Sequence, residues 1–164
     1  MIAKIQPGDL ILYLATPRDA LVTRAVGAFQ LLFGVGKKAA TYSHVAIAAW
    51  SPRMQFEAKW PWSGHYRVDE KRAYEVWRLR DLTHQKRAAI LADCQAHCYE
   101  LYALDTLLTF GLVTHRHAMV CSQWAAARYA AGGYRFAKDG HHIVAPDVMT
   151  DAGFLQYIGT GGRK

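Results

Sequence analysis

Apolar and polar residues alternate with different periods along the chain, and these periods predict strands in the first half and helices in the second. The apolar run over residues 10–15 predicts a short buried strand, and the regular alternation over residues 74–80 predicts a half-buried one. Two further runs on either side of a Ser-Pro-Arg turn, residues 44–50 and 55–60, predict a β-hairpin. Residues 60–64 follow it as an aromatic loop.

Helical spacing of apolar residues predicts the remaining elements. A stripe over residues 21–33 predicts a helix that packs on the core, with a membrane-facing or partner-facing surface as the alternative. Thr83 is expected to cap a long helix over residues 84–103. The inner face of that helix is predicted to carry five apolar residues, Ile90, Leu91, Cys94, Cys98 and Leu101.

An alanine-rich run over residues 124–131 stops at Gly132-Gly133, which predicts a helix with a glycine stop that begins at or near Cys121. Residues 146–149 predict the start of a short helix. Because strands gather first and helices follow, we expect an α+β fold. The length of 164 residues and the lack of a linker predict one domain over residues 1–164.

Composition and charge limit the class of protein and the kinds of partner that can be expected. Hydrophobic residues make up 52% of the chain and charged residues 20%, as in globular proteins. The net charge of +7 is spread out, which supports nucleic-acid binding only weakly and predicts no specific nucleic-acid partner; an anionic polymer or membrane surface is an equally fair interpretation. No apolar run approaches the roughly 20 residues of a membrane span, and Pro7 interrupts the start too early for a signal peptide. We therefore expect a cytoplasmic protein, with phage-borne or specialised export left open.

The three cysteines have no spacing typical of a disulfide framework. Cys94 and Cys98 are expected to pack in the core. Cys121 is different because, at a helix start, free N–H groups and the helix dipole stabilise a thiolate. This position predicts a cysteine nucleophile, with a small buried residue as the alternative.

A cysteine nucleophile needs a base, and that base needs an orienting partner. His44 begins an otherwise apolar strand, and Glu57 lies on the other strand of the hairpin. If the hairpin turn begins at Trp50, Glu57 faces Ala46 and is a diagonal neighbour of His44. If the turn begins one residue later, Glu57 faces Ala48, and the distance between the Glu57 and His44 side chains becomes long. Only the first register suits a His–Glu pair.

A metal site is the competing interpretation of the same residue types. Cys94, His97 and Cys98 share a predicted helical face, and His115 and His117 lie further along the chain. No Cys-x-x-Cys or His-Glu-x-x-His spacing supports such a site. The sequence therefore predicts neither a metal nor another cofactor.

Six short segments share one order along the chain. They are residues 7–11 (Pro-Gly-Asp-Leu-Ile), 43–47 (Ser-His-Val-Ala-Ile), 56–58 (Phe-Glu-Ala), 102–105 (Tyr-Ala-Leu-Asp), 121–124 (Cys-Ser-Gln-Trp) and 146–147 (Pro-Asp). In this order they resemble the motifs of NlpC-type cysteine peptidases, in the circularly permuted papain-like branch. The resemblance covers nearly the whole chain and implies a papain-like antiparallel sheet packed against helices.

The resemblance also implies a chemistry. Cys121 would be the nucleophile, His44 the general base and later the acid, and Glu57 the residue that orients His44. The backbone N–H of Cys121 and the Tyr102 hydroxyl would form the oxyanion hole. The implied reaction is acyl transfer through a thioester, which with water as acceptor makes a peptidase or amidase. Its expected substrate is a peptide, an amide or a lipid-linked substrate, such as a cell-wall peptide or a lipid-linked amide.

Trp60, Trp62 and Tyr66 lie just beyond Glu57, where they are expected either to line the substrate groove or simply to pack. Two other functions stay open. One is a lipid-directed acyltransferase or thioesterase, as in the related lecithin–retinol acyltransferase group. The other is a papain-like scaffold that only binds.

Overall fold

The structure, a computed structural model, describes residues 4–15, 41–51, 53–103, 118–136 and 146–163. Among these residues, six antiparallel strands form the main sheet: β1 (Leu10–Leu14), β2 (Tyr42–Ala48), β3 (Met54–Ala58), β4 (Ser63–Arg67), β5 (Tyr74–Leu79) and β8 (Leu155–Gly161). They lie in the order β4-β3-β2-β1-β5-β8. Two short strands, β6 (Leu101–Tyr102) and β7 (Ala118–Met119), pair in parallel beside the sheet. The helices within the described residues are α1 (His84–Ala96), α2 (Cys121–Ala131) and α3 (Pro146–Thr150). This confirms the predicted α+β fold.

Strand β1 lies in the middle of the sheet and is buried on both faces. Leu10 and Leu12 belong to one apolar cluster, and Ile11 and Tyr13 belong to the cluster on the opposite face. Side chains alternate between the faces of a strand, so an unbroken apolar run suits a strand that is covered on both sides.

The two longer helices pack on the face of the sheet that carries Leu10 and Leu12. Both helices contribute buried side chains to the core on this face: Ile90, Leu91 and Cys94 from α1, and Trp124, Ala125 and Tyr129 from α2. Thr83 caps α1 by accepting a hydrogen bond from the Lys86 N–H, as predicted. Helix α2 ends before Gly133, whose positive φ of 86° is a backbone conformation that favours glycine.

The hairpin of β2 and β3 has the first of the two registers considered. The Ala49 N–H donates to the Met54 carbonyl at 2.9 Å, and Ile47 faces Phe56. Glu57 is therefore a diagonal neighbour of His44.

The long helix predicted over residues 84–103 was wrong at its end. Helix α1 ends at Ala96, and Tyr99 then takes a positive φ of 70° and donates its N–H to the Ser63 carbonyl at 2.8 Å. The chain thus leaves the helix to run beside β4. As a result Leu101 is 58% exposed instead of packed on the inner face.

Four strands were not predicted, the short pair β6 and β7 and the two outer strands of the main sheet, β4 and β8. Ser63 and Gly64, assigned to a loop, begin β4, and β8 follows α3 and joins the sheet at β5. The helix predicted over residues 21–33 lies outside the described residues. Within the parts of the chain that the structure describes, every helix is too short or too polar to cross a membrane.

Candidate active site

Cys121 is the first residue of α2. The preceding residue, Val120, is extended, and its N–H donates to the Gln123 side-chain carbonyl at 3.2 Å. The first helical bond runs from the Trp124 N–H to the Val120 carbonyl at 2.9 Å. The N–H groups of Cys121 and Ser122 therefore have no partner within the helix, and they lie at the positive end of its dipole.

The sulfur of Cys121 meets strand β2 where that strand's pairing with β3 has ended. The pairing covers only Ile47 with Phe56 and Ala48 with Gln55. The Ala48 N–H donates towards the β1 side, to the carbonyl of Asp9 just before that strand, and N–H groups alternate in direction along a strand. The Val45 N–H consequently points to the β3 side, where it donates to the Cys121 sulfur, as does the Ser122 N–H.

His44 and Glu57 form a close pair across the same gap. His44 Nε2 lies 2.6 Å from Glu57 Oε2, and the imidazole also forms a hydrogen bond with the Cys121 thiol. Because Glu57 occupies Nε2, the nitrogen that faces the thiol is Nδ1. Both side chains of the pair are largely buried. The structure thus brings together the three residues expected to act as nucleophile, base and orienting group.

The charges of the three side chains stabilise one another. Burial alone would raise the pKa of Glu57, but His44 and Lys59 lower it to about 2. Burial alone would lower the pKa of His44, but Cys121 and Glu57 raise it to about 10. Burial opposes ionisation of the Cys121 thiol as well, yet the His44 imidazolium and the N–H donors bring its pKa below the ordinary value. At all three side chains the neighbouring groups outweigh burial, so the arrangement favours the thiolate, the imidazolium and the carboxylate.

A buried network holds Glu57 in place. Gln55 Nε2 donates to Glu57 Oε2 at 3.0 Å, and the Tyr13 hydroxyl donates to Gln55 Oε1 at 2.7 Å. The Tyr13 oxygen in turn accepts from the Asp69 N–H at 3.0 Å. On the other side Lys59 Nζ lies 2.8 Å from Glu57 Oε1. Both carboxylate oxygens are therefore occupied, which fixes the orientation of the carboxylate towards His44.

The sequence reasoning missed Gln55, Lys59 and Tyr13 as supporting residues. A signal for two of them was available, because residues 55, 57 and 59 are polar positions at the two-residue spacing of one strand face. Tyr13 had no such local signal, since it reaches Gln55 across the sheet.

Tyr102 lies against the nucleophile. Its hydroxyl contacts both the thiol and the main-chain N–H of Cys121, and burial together with the Cys121 thiolate raises the pKa of the phenol. The phenol stays protonated and remains a hydrogen-bond donor. The Tyr102 N–H donates to the Pro61 carbonyl at 2.9 Å, so the aromatic loop after β3 positions this residue.

The three predicted groove residues lie on that same loop and on β4. Trp60 is 68% exposed and Trp62 is 47% exposed, so neither packs as an ordinary core residue. The Tyr66 hydroxyl donates to the Trp62 carbonyl at 3.1 Å, and Lys59 Nζ lies 3.6 Å from the centre of the Tyr66 ring. Tyr66 is thereby connected to Glu57 through Lys59.

The competing metal-site residues do not converge where they are described. Cys94 is buried in α1, whereas Cys98 lies beyond the end of that helix. His97 Nδ1 contacts the Asp93 carbonyl oxygen at 2.8 Å. His115 and His117 lie outside the described residues. Among the residues that are described, no three histidine, cysteine or acidic side chains are placed to hold a metal ion.

Comparison with known proteins shows the fold. No family model and no curated protein matches the chain. The crystal structure of the metalloprotein yiiX (DUF1105) from Escherichia coli O157:H7 is similar, with a TM-score of 0.68 and 15% sequence identity. The similarity covers 98% of this chain and 99% of that one. The two chains therefore share a fold over essentially their whole lengths.

Proposed function

We propose that the protein is a cysteine hydrolase that cleaves an amide bond through a thioester acyl-enzyme. The observation that carries this proposal is the contact of the Cys121 thiol with His44, whose other ring nitrogen lies 2.6 Å from Glu57. The same three residues, in the order His, Glu, Cys, support membership of the circularly permuted NlpC-type branch of papain-like peptidases.

In the first half of the reaction, the Cys121 thiolate attacks the substrate carbonyl carbon and forms a tetrahedral oxyanion. The N–H of Cys121 and the hydroxyl of Tyr102 donate hydrogen bonds to that oxygen. The His44 imidazolium then transfers its Nδ1 proton to the leaving amine as the carbon–nitrogen bond breaks. Cys121 is left as a thioester and His44 as a neutral imidazole.

In the second half, neutral His44 takes a proton from water, and the resulting hydroxide attacks the thioester. The carbon–sulfur bond breaks, the acid product leaves, and the thiolate and imidazolium are restored. Glu57 stabilises the imidazolium in both halves and keeps Nδ1 directed at the reacting atoms. An amine or alcohol in place of water would make the same site an acyltransferase.

One observation favours that second function, a lipid-directed acyltransferase or thioesterase. Four large side chains close to Tyr102 in the chain or on the loop that pairs with it are exposed by 47% or more: Trp60, Trp62, Tyr99 and Leu101. Large exposed apolar patches mark sites for apolar ligands or surfaces. A substrate with an acyl chain would suit this edge better than a polar peptide.

The test is to trap the acyl-enzyme. We would incubate the protein with acyl p-nitroanilides and p-nitrophenyl esters, follow chromophore release, and locate the acyl group by mass spectrometry. The expected result is a rapid initial release and an acyl group on Cys121, with release falling by about 10⁴-fold or more in Cys121→Ser. Cys94→Ser is the matched control and should react normally.

Three outcomes separate the alternatives. Faster turnover of amides supports the hydrolase, whereas acyl transfer to an added amine or alcohol in preference to water supports the acyltransferase. Release that is unchanged in Cys121→Ser contradicts both functions and favours a binding scaffold. Because the similar fold belongs to a metalloprotein, each assay would be repeated with EDTA, and acylation of Cys121 is expected to be unaffected.

A further inference from the structure

A cavity lies on the sheet between β2 and β8, and its lining includes none of Cys121, His44 and Glu57. Its volume is about 440 Å³, and its walls come from the start of β2, the strands β5 and β8, and the end of α3. Three of the lining residues are aromatic and two are acidic, Tyr42, Trp77, Tyr157, Glu75 and Asp151. None of these five belongs to the proposed catalytic group.

Glu75 is the half-buried acidic residue of this cavity, whereas Asp151 is exposed. Its Oε2 accepts hydrogen bonds from the Tyr42 hydroxyl at 2.5 Å and from the Trp77 indole N–H at 3.1 Å. Both donors are neutral, so they orient the carboxylate without neutralising it. Its Oε1 accepts no hydrogen bond from the described residues.

Glu75 has no cationic partner among the described residues. Within the described ranges, no lysine, arginine or histidine side chain forms an ion pair with it. The chain has 20 lysine and arginine residues against 13 acidic ones, so cations are not scarce. A half-buried carboxylate that is oriented but unpaired in such a chain is a ready counter-ion for an external cation.

The aromatic rings shape the space in front of this charge. The rings of Trp77 and Tyr157 meet edge to face, with centroids 5.4 Å apart and planes at 65°. Trp77 directs its N–H edge at Glu75, and the ring faces carry the negative side of the aromatic quadrupole. Aromatic faces beside a carboxylate are the surroundings that attract organic cations.

We propose that this cavity binds an organic ammonium group, with Glu75 as counter-ion and Tyr42, Trp77 and Tyr157 as aromatic walls. Such a group is carried by choline-type headgroups and by primary amines such as a lysine side chain. The inference does not depend on catalysis by Cys121.

The experiment follows the Trp77 indole N–H by proton–nitrogen NMR, with the signal assigned from its loss in Trp77→Phe. The intact protein is titrated with choline and with n-butylammonium. Each is compared with its neutral counterpart, 3,3-dimethylbutan-1-ol and butan-1-ol. We expect both cations to shift the Trp77 signal in a saturable way and the neutral alcohols to shift it little.

Variants test the role of the charge and of the walls. Glu75→Gln keeps the shape and the acceptor but removes the charge, and should weaken binding about tenfold or more. Glu70→Gln, at an exposed turn, is the matched control and should bind normally. Tyr157→Ala removes a wall that is 51% exposed, so it tests the site without disturbing the core.

The titrations with choline and with n-butylammonium identify the class of ligand. Three results would contradict the proposal. Tighter binding of choline indicates a quaternary headgroup, and tighter binding of n-butylammonium indicates a primary amine. The proposal is wrong if neither cation produces a saturable shift, or if the neutral alcohols bind as well. It is also wrong if Glu75→Gln and Tyr157→Ala both bind like the unaltered protein.

Discussion

Cys94 and Cys121 are both buried, but their electrostatic surroundings shift the pKa of the thiol in opposite directions. Cys94 lies inside α1 and is completely buried, and this burial raises the pKa of its thiol far above the ordinary value. Cys121 is only 8% exposed, yet its pKa is lowered. Burial therefore does not decide the ionisation of a cysteine by itself.

The difference comes from what faces each sulfur. The thiol of Cys94 faces the apolar core, and the largest influence on it is loss of water. Cys121 faces an imidazolium and two main-chain N–H groups that helix and sheet pairing leave unused. A pair of opposite charges and a helix start thus reverse the effect of burial. Two of the three substitutions below, at Glu57 and Lys59, weaken the charge pair and make Cys121 more like Cys94, and the third removes the Tyr102 hydroxyl beside it.

The largest effect is expected from Glu57→Gln. Without the carboxylate, the pKa of His44 falls from about 10, the thiolate loses its cation, and the pKa of Cys121 rises. The kcat/KM for the reactive substrate should fall by about 10²- to 10⁴-fold. Steady-state kinetics of this variant and of the exposed-site control Glu70→Gln measure the effect, and equal rates in both would remove Glu57 from the mechanism.

A smaller loss is expected from Tyr102→Phe, which deletes the hydroxyl beside the Cys121 N–H. Loss of one oxyanion donor should lower kcat by about 10²- to 10³-fold with little change in KM. Alkylation of Cys121, which forms no oxyanion, should be much less affected. Tyr99→Phe, at a side chain that is 82% exposed, is the control. Equal losses in alkylation and acyl transfer would instead assign Tyr102 to thiol activation.

The smallest effect is expected from Lys59→Met. Lys59 lowers the pKa of Glu57, but its half-exposed ammonium is screened by solvent. Without it the pKa of Glu57 rises from about 2, so the carboxylate is protonated at higher pH. Activity near neutral pH should change by no more than a few-fold, while the acid limb of the pH–rate profile moves to higher pH. An unshifted acid limb, matching that of the exposed Lys71→Met, would show that Lys59 does not act on Glu57.

The parts of the site that the sequence could predict are those set by local pattern. The hairpin turn limited Glu57 to two registers relative to His44, and the alanine-rich run ahead of the glycine stop placed Cys121 at or near a helix start. Both inferences need only the period of a strand or helix and a turn signal.

The parts that escaped prediction depend on partners distant in sequence. Helix α1 stops at Ala96 because Tyr99 pairs with Ser63, and no local breaker marks that position. The hydrogen bond from Tyr13 to Gln55 likewise joins β1 and β3, which come close only once the sheet has assembled with β2 between them. Local propensity cannot encode such contacts.

The measurement that tests the central claim most directly is the pH dependence of cysteine alkylation by iodoacetamide, in the unaltered protein and in His44→Ala. Mass spectrometry resolves Cys121 from Cys94, which serves as an internal standard in the same folded molecule. We expect Cys121 to react with an apparent pKa well below the ordinary thiol value of about 8.5, while Cys94 stays unmodified. In His44→Ala the onset should move to higher pH, because the thiolate has lost its cation. If Cys121 instead titrates as an ordinary thiol and His44→Ala leaves its profile unchanged, the thiolate–imidazolium pair does not exist and the catalytic account is wrong.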